Sequence, residues 1–597
     1  MFGQAFLMPW FTTNSQVTAE VVLGSVEQAV PEVQTPSLEQ LPDDQPVLEE
    51  LDQEPFPKST AEIPALSTDP AAAAAETLAT LENTQVPTSD LFDLAYRLAG
   101  KDGISPTLEA PLGPFPVGTQ KSFWVLDTDN NRNFQVQTIL QYATEHLYFW
   151  VEAGLPFDRD ALRMLAETFE SQIYPTNREF FGSEWTPGVD GDPHLYVVYA
   201  RGLGNSVAGY FSTNDEYPPI LSEYSNAHEM FLLNADKMQL DQEFAYGVLA
   251  HEFQHMIHWN QDRNEDTWMS EGMADLAMLI NGYGIGGADY SYAADPDIQF
   301  TSWPVEPAGR LPYYGGSFLY LTYFLDRFGE QATRKLASHP ENGLASVDKT
   351  LAELAITDPE NGQAITADDL FADWSVAFFL RDEQVEDGRY NYSNYPRVPR
   401  PSETEIVRGC PNGVARRDVR QYGIDYIRIR CRGEFTLEFS GNSQVPVLPA
   451  NPHSGNYAFW SSRGDASSMT LTRSFDFREI DGPITMSYWT WYDLEESYDY
   501  LYVEASRDNE RWEVLITPSG TPEDPVGNSF GWGYNGASGG GESPRWIQEQ
   551  VDLSQFAGQE VTLRFEYVTD AEANGEGFLL DDLEIPQAGY FSDFEAD

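Results

Sequence analysis

Two histidines four residues apart, His251 and His255, stand in a run that reads His-Glu-Phe-Gln-His. On a helix such residues share one face about 6 Å from each other, so both imidazoles can be offered to one metal ion. Glu252 then stands one step round, within reach of a water on that ion but not bound to it, the position a general base needs. The pattern therefore demands a helix. The preceding Phe244 to Ala250 has the composition of a buried one, with Asp241 as the expected N-cap. With 8 histidines in 597 residues, such a motif would arise by chance in roughly one chain in a hundred.

Zinc in a catalytic site takes three protein ligands and leaves a fourth place to water, so a third ligand must come from elsewhere. Asp262, Glu265, Asp266, Glu271 and Asp275 are the candidates. Gln261 to Asp266 reads as a polar, water-facing turn, and Thr267 as the cap of a second helix that stops at Gly282. An antiparallel pair joined by that turn brings Glu271 back toward the histidines. Asp275, one helical turn further on, is placed to accept a hydrogen bond from the far nitrogen of His251. His258 suggests a three-histidine reading, but three histidines over seven helical steps climb about 10 Å, too far for one tetrahedral ion. A packing or supporting role is expected for it.

The run HEFQHMIHWNQ followed by WMSEGMAD resembles the gluzincin class of zinc metallopeptidases, and the first part in particular is similar to the hyicolysin type. The resemblance is specific over residues 245–282. It implies His251, His255 and Glu271 as zinc ligands, Glu252 as general base and Asp275 as the residue orienting a ligand. Further on, Pro312 to Ser317 precedes an apolar helix expected from Phe318 to Phe328 and resembles the tyrosine-glycine-helix segment of aminopeptidase-like gluzincins. That implies Tyr314, with Tyr313 as runner-up, as a donor to the developing oxyanion. The G-x-M-E-N segment with which aminopeptidases of this class hold an amino terminus is not found upstream, which tilts the reading toward an endopeptidase.

The net charge is −61, from 34 basic and 95 acidic residues. Nucleic acid and anionic membranes are thus poor partners. No run reaches the 18 or so apolar residues of a membrane span. Met1 to Trp10 is apolar but lacks the basic flank and long core of a signal peptide. Residues 1–90, rich in Pro, Glu, Ser and Ala, are expected to be a disordered leader or stalk, with a blocking propeptide as the alternative.

Residues 91–400 read as the metallopeptidase domain, a β-sheet subdomain followed by helices. Its expected parts include a helix from Asp158 to Ile173 ending before Pro175, a buried strand from Leu195 to Ala200, and a sheet edge from Glu229 to Asn234. By resemblance, that edge would hold substrate backbone by strand addition. His194 and His228 read as loop or core residues.

A small β segment is expected over 401–445, flanked by the only cysteines, Cys410 and Cys431, which would pair in an exported chain. Short strands broken by Gly, Asp and Asn over 446–588 favour an antiparallel sandwich, leaving 589–597 as a tail. The runs HSGNYAFWSSRGD, DLSQFAGQEVTLRFEYVTD and GFLLDDLEIP resemble the accessory β-sandwich of immune inhibitor A-type secreted metalloproteases. That resemblance implies export and attachment to substrate, cell surface or carbohydrate. Asp499, Asp581 and Asp582 are offered as a structural calcium site, and the Arg463-Gly464-Asp465 triplet reads as coincidental.

The whole is expected to be a multidomain α+β protein: a zincin-like domain and a sandwich. The expected activity is that of a secreted zinc endopeptidase acting on proteins and peptides. A non-catalytic surface-binding protein with a structural metal, or an aminopeptidase, are the alternatives.

Overall fold

The computed structural model describes residues 16–24, 75, 77–81, 84–305, 307–409, 413–442, 445–541 and 543–595, and is mixed α and β with several sheets. Strand β1 (Gln16–Gly24) and helix α1 (Leu91–Arg97) come first. A six-stranded sheet follows, from β2 (Gln120–Asp127), β3 (Arg132–Ala143), β4 (Leu147–Glu152), β5 (Leu195–Ala200), β6 (Gly209–Phe211) and β7 (Met230–Asn234), in the order β2-β3-β4-β5-β7-β6.

The central strands β4, β5 and β7 run parallel and are buried on both faces, as their near-continuous apolar sequences require. Phe149, Val197 and Phe231 face the helices, while Trp150, Tyr196 and Leu232 pack with Phe123 and Leu140 on the other side. β7 is interior. The exposed edge beside the histidine helix is β6, antiparallel to β7, so the sheet-edge expectation for Glu229 to Asn234 is corrected. Three residues are too short a run to show strand periodicity.

The helices are α2 (Arg159–Thr168), α3 (Tyr174–Phe181), α4 (Glu243–Gln261), α5 (Thr267–Ile280), α6 (Ala288–Ala294), α7 (Leu311–Leu336), α8 (Gly343–Glu353) and α9 (Ala367–Leu380). Asp158 caps α2 as expected, accepting from the backbone of Asp160 and Ala161. The helix does not end before Pro175. A π-turn, Phe169–Ile173, carries it into α3, and Pro175 directly follows that turn, where the α-helical hydrogen-bond ladder is already interrupted. Likewise α7 starts at Leu311, so Tyr313 and Tyr314 lie inside the helix rather than ahead of it, and Gly329 (φ 78°) breaks it where a stop is expected. Close packing places α5 on α7: a Cβ on Gly272 would lie 2.7 Å from Leu321 Cδ1.

The remaining strands are β8 (Glu405–Arg408), β9 (Gly413–Arg420), β10 (Ile427–Arg430), β11 (Thr436–Gly441), β12 (Phe459–Trp460), β13 (Ser468–Asp476), β14 (Thr485–Asp493), β15 (Tyr500–Ser506), β16 (Glu513–Val514), β17 (Ile547–Asp552), β18 (Glu560–Val568), β19 (Gly577–Ile585) and β20 (Tyr590–Ser592). Two antiparallel sheets, β12-β19-β14-β17 and β13-β18-β15-β16, enclose Tyr488, Leu501, Val503, Phe565, Phe578 and Leu580. The proposed tail is part of this unit, since β20 pairs with β19.

The leader expectation is corrected only within residues 16–24 and 84–90, since most of 1–90 lies outside the described residues. β1 fills the gap between β9 and β11, where two unpaired strand edges offer hydrogen bonds that composition does not reveal. Pro87 and Ser89 hydrogen-bond along Ser468 and Ala466. Cys410 lies outside the described residues, and with it the expected pairing to Cys431.

The two cores meet. Leu94 of α1 packs against Tyr500, Tyr502 and Val568, and Arg97 pairs with Glu566 at 2.8 Å. Asp465, the last residue of the Arg463-Gly464-Asp465 triplet, is buried at the foot of α5. It accepts hydrogen bonds from the backbone N–H and hydroxyl of Thr267, at 2.9 and 2.5 Å. Thr267 thus enters the helix as its first residue instead of capping it.

Candidate metal centre

The helix spacing of His251 and His255 places their Nε2 atoms 3.1 Å apart. The turn after α4 folds α5 back so that Glu271 Oε2 lies 3.2 and 3.4 Å from those nitrogens. His251 Nδ1 donates to Asp275 Oδ1 at 3.0 Å, which leaves its Nε2 lone pair pointing inward. His255 Nδ1 lies 3.2 Å from Ser270 Oγ. Sequence reasoning missed Ser270; its place next to Glu271 on the helix facing His255 was the available signal. Asp241, expected to cap α4, does not: Gln242 occupies the position without a side-chain hydrogen bond.

Two imidazole lone pairs and a carboxylate oxygen therefore converge, and Glu271 Oε2 has no hydrogen-bond donor among the described residues. Such a donor set lacks positive charge at its centre and suits a divalent zinc-like cation. Burial pulls the Glu271 carboxyl upward, but the two histidines, when protonated, outweigh it and hold the carboxyl well below the usual range, so positive charge is favoured at this point. Glu252 shows the opposite balance. Burial raises it, and the imidazoles only partly offset that. It accepts a backbone hydrogen bond from Phe211 on β6, which puts this carboxylate between the histidines and the sheet edge.

Tyr314 donates to Glu271 Oε1 at 3.1 Å, held by an edge-on contact with Trp303 at 4.9 Å. The Tyr313 ring lies 6.2 Å from that of Trp303, and among the described residues no hydrogen bond or ring contact joins it to His251, His255 or Glu271. Of the other third-ligand candidates, Asp266 lies beside the Trp268 indole N–H, while Asp262 and Glu265 group with His258. The sandwich also contributes to the site. Glu572 lines the same cavity of about 90 Å³ as Phe211, His255 and Glu271, and pairs with Arg310 at 2.9 Å. Nothing in the local sequence announces a wall supplied from some 300 residues away.

The expected calcium trio is not assembled. Asp582 binds His453 and Ser454, and Asp581 accepts from the Ser454 backbone. Asp499 instead accepts from Tyr567 and sits with Glu495 and Asp570. Asp581 and Asp582 thus meet at Ser454, and Asp499 is not among their partners. His228 is buried against Asp190, and His194 stacks on Tyr148.

Residues 441–594 match the family model described as the Immune inhibitor A-like MAM domain. The chain is also similar to neutral metalloprotease ShpI of Staphylococcus hyicus, 28% identical over 171 residues, which is 26% of this chain and 38% of that protein. Immune inhibitor A of Bacillus thuringiensis subsp. alesti is 31% identical over 144 residues, 24% of this chain and 19% of that protein. Pre-pro-metalloprotease PrtV of Vibrio cholerae serotype O1 is 30% identical over 138 residues, 23% of this chain and 14% of that protein. The matched stretches thus span less than two fifths of each of these relatives. No helix among the described residues is long and apolar enough to cross a membrane.

Proposed function

We propose that the protein is a secreted zinc endopeptidase that hydrolyses peptide bonds in proteins, with 91–400 as its zincin-like catalytic unit and 446–588 as an accessory domain that attaches to substrate or surface. The observation that carries this reading is the convergence of His251 Nε2, His255 Nε2 and Glu271 Oε2 beside the buried carboxylate of Glu252. The two relatives named as metalloproteases support it at the level of the class.

Zinc held by His251, His255 and Glu271 would supply a Lewis acid that polarises the scissile carbonyl and acidifies water. Glu252, its carboxyl raised by burial, takes a proton from the attacking water and delivers it to the leaving amine nitrogen. The Tyr314 hydroxyl, which donates its one proton to Glu271 Oε1 in the free protein, gives up that bond and donates to the carbonyl oxygen as charge develops there. Asp275 keeps His251 in the tautomer that turns Nε2 inward. β6, paired on one side with β7, offers its other edge to an extended peptide.

The test is zinc content together with casein cleavage, for wild type and Glu252→Gln in parallel. Equal zinc and a fall in cleavage of roughly 10²–10⁴-fold in the variant are expected. A variant that cuts as fast as wild type removes Glu252 from the chemistry. A wild type that binds zinc without cutting leaves the surface-binding alternative. Amino-blocked peptides cut as well as free ones separate an endopeptidase from an aminopeptidase.

A further inference from the structure

The turn between α4 and α5 holds a second convergence of metal-ligand side chains. His258 lies in the last turn of α4, Asp262 is its C-cap, and Glu265 follows three residues later. A polar turn there should face water, yet His258, Asp262 and Glu265 are only 4%, 8% and 5% exposed. One ligand atom from each lies within 4.8 Å of the other two, and all three border the cavity of about 90 Å³.

Each of the three also carries a buried polar atom with no partner among the described residues: His258 Nδ1, Asp262 Oδ2 and Glu265 Oε2. The other Glu265 oxygen is already used. Glu265 Oε1 accepts from the backbone N–H of Asp266 and Gly343 at 2.7 and 2.6 Å, which ties the turn to the start of α8. No lysine or arginine among the described residues forms an ion pair with Asp262 or Glu265, and the neighbouring Arg263 lies over the Trp259 ring. Buried polar groups are almost always partnered, and leaving one without a partner is costly, more so when it is charged, so three in one place point to a missing cation.

We propose that His258, Asp262 and Glu265 bind a second divalent transition-metal ion, of the zinc class, that staples the α4–α5 turn. One imidazole nitrogen with two carboxylates suits zinc or manganese and not calcium, which takes oxygen ligands alone. The end of α4 adds the negative pole of the helix dipole. An ion here fixes α5 against α4, and with it the position of Glu271 opposite His251 and His255. The site is separate from the first centre in its ligands and does not depend on that centre being catalytic.

The full chain, loaded with Zn²⁺ and dialysed against metal-free buffer, is assayed for zinc by mass spectrometry in four forms. Wild type should hold two ions, Asp262→Asn/Glu265→Gln one, His251→Ala/His255→Ala one, and the quadruple variant none. The amide replacements keep the side-chain shapes. As a second readout, Zn²⁺ added to the stripped His251→Ala/His255→Ala protein should raise its melting temperature and leave the quadruple variant unmoved. If wild type holds a single ion, its retention by His251→Ala/His255→Ala supports the second site and argues against the first. The proposal is overturned if His251→Ala/His255→Ala holds no zinc, if Asp262→Asn/Glu265→Gln holds as much as wild type, or if Ca²⁺ and not Zn²⁺ gives the thermal shift.

Discussion

Replacing Asp465 by alanine tests whether the sandwich braces the metal-ligand helix. Asp465 is 2% exposed, and its Oδ2 accepts from the backbone N–H and hydroxyl of Thr267 while Oδ1 accepts from Asn574 Nδ2 at 2.6 Å. The substitution removes what is in effect an N-cap supplied by another domain, worth about 0.5–2 kcal/mol. It also removes a negative charge from the positive end of α5, roughly 0.3–2 kcal/mol, and strands buried donors at about 1–3 kcal/mol each. These overlap, because the same oxygens serve all three, so the net loss is about 3–5 kcal/mol. At about 2–4 °C per kcal/mol for a unit of this size, the melting temperature by calorimetry should fall by roughly 10 °C. Casein cleavage should drop with it, since Glu271 lies one helical turn along α5. Asp465→Asn, which keeps one oxygen for Thr267 but turns an NH₂ toward another donor, should fall between. A melting temperature for Asp465→Ala within about 2 °C of wild type refutes the reasoning.

Three further outcomes are expected. Asp275→Ala should weaken zinc binding by about 10–100-fold in a chelator competition; unchanged affinity would mean that Asp275 does not orient His251. Tyr314→Phe should lower kcat by roughly 10²–10³-fold with KM little changed, and a change confined to KM would assign the hydroxyl to substrate binding instead. Asp215 gives a pH dependence. Burial pushes its carboxyl from the ordinary 3.8 up to about 7, against the hydrogen bonds from Asn226. The folded state thus keeps a proton that the unfolded chain releases, so this stabilisation is present at low pH and lost as pH rises toward neutrality. Between pH 5 and 8 the loss is on the order of 3 kcal/mol. Asp215→Asn cannot titrate, so its melting temperature should improve relative to wild type over that range; a constant difference would show that Asp215 stays ionised throughout.

How much was legible depended on the range of the interaction concerned. The four-residue spacing of His251 and His255 is local helix geometry, and the apolar runs of β4 and β5 are visible because burial on both faces tolerates little else. Glu271 and Asp275 were within reach because a short turn between two helices leaves few ways to fold back. By contrast, the burial of Asp262 and Glu265 was misread, since a run of charged residues looks solvated unless one knows what covers it. β6 is only three residues long, and β1 lies in acidic, Pro-rich surroundings, so neither carries enough pattern to register.

The sequence by itself determined the chemistry on offer: two imidazoles and a carboxylate on one buried helix, a second helix carrying Glu271, and a β-rich C-terminal part. Only the tertiary structure decided that Ser270 stands against His255, that Tyr314 meets Glu271, that β6 forms the open edge, and that Asp465 and Glu572 of the sandwich complete the foot of α5 and the wall of the cavity. Periodicity and capping act over a few residues and leave their mark on the chain. Contacts between residues hundreds of positions apart depend on how whole surfaces meet, and no local pattern encodes that.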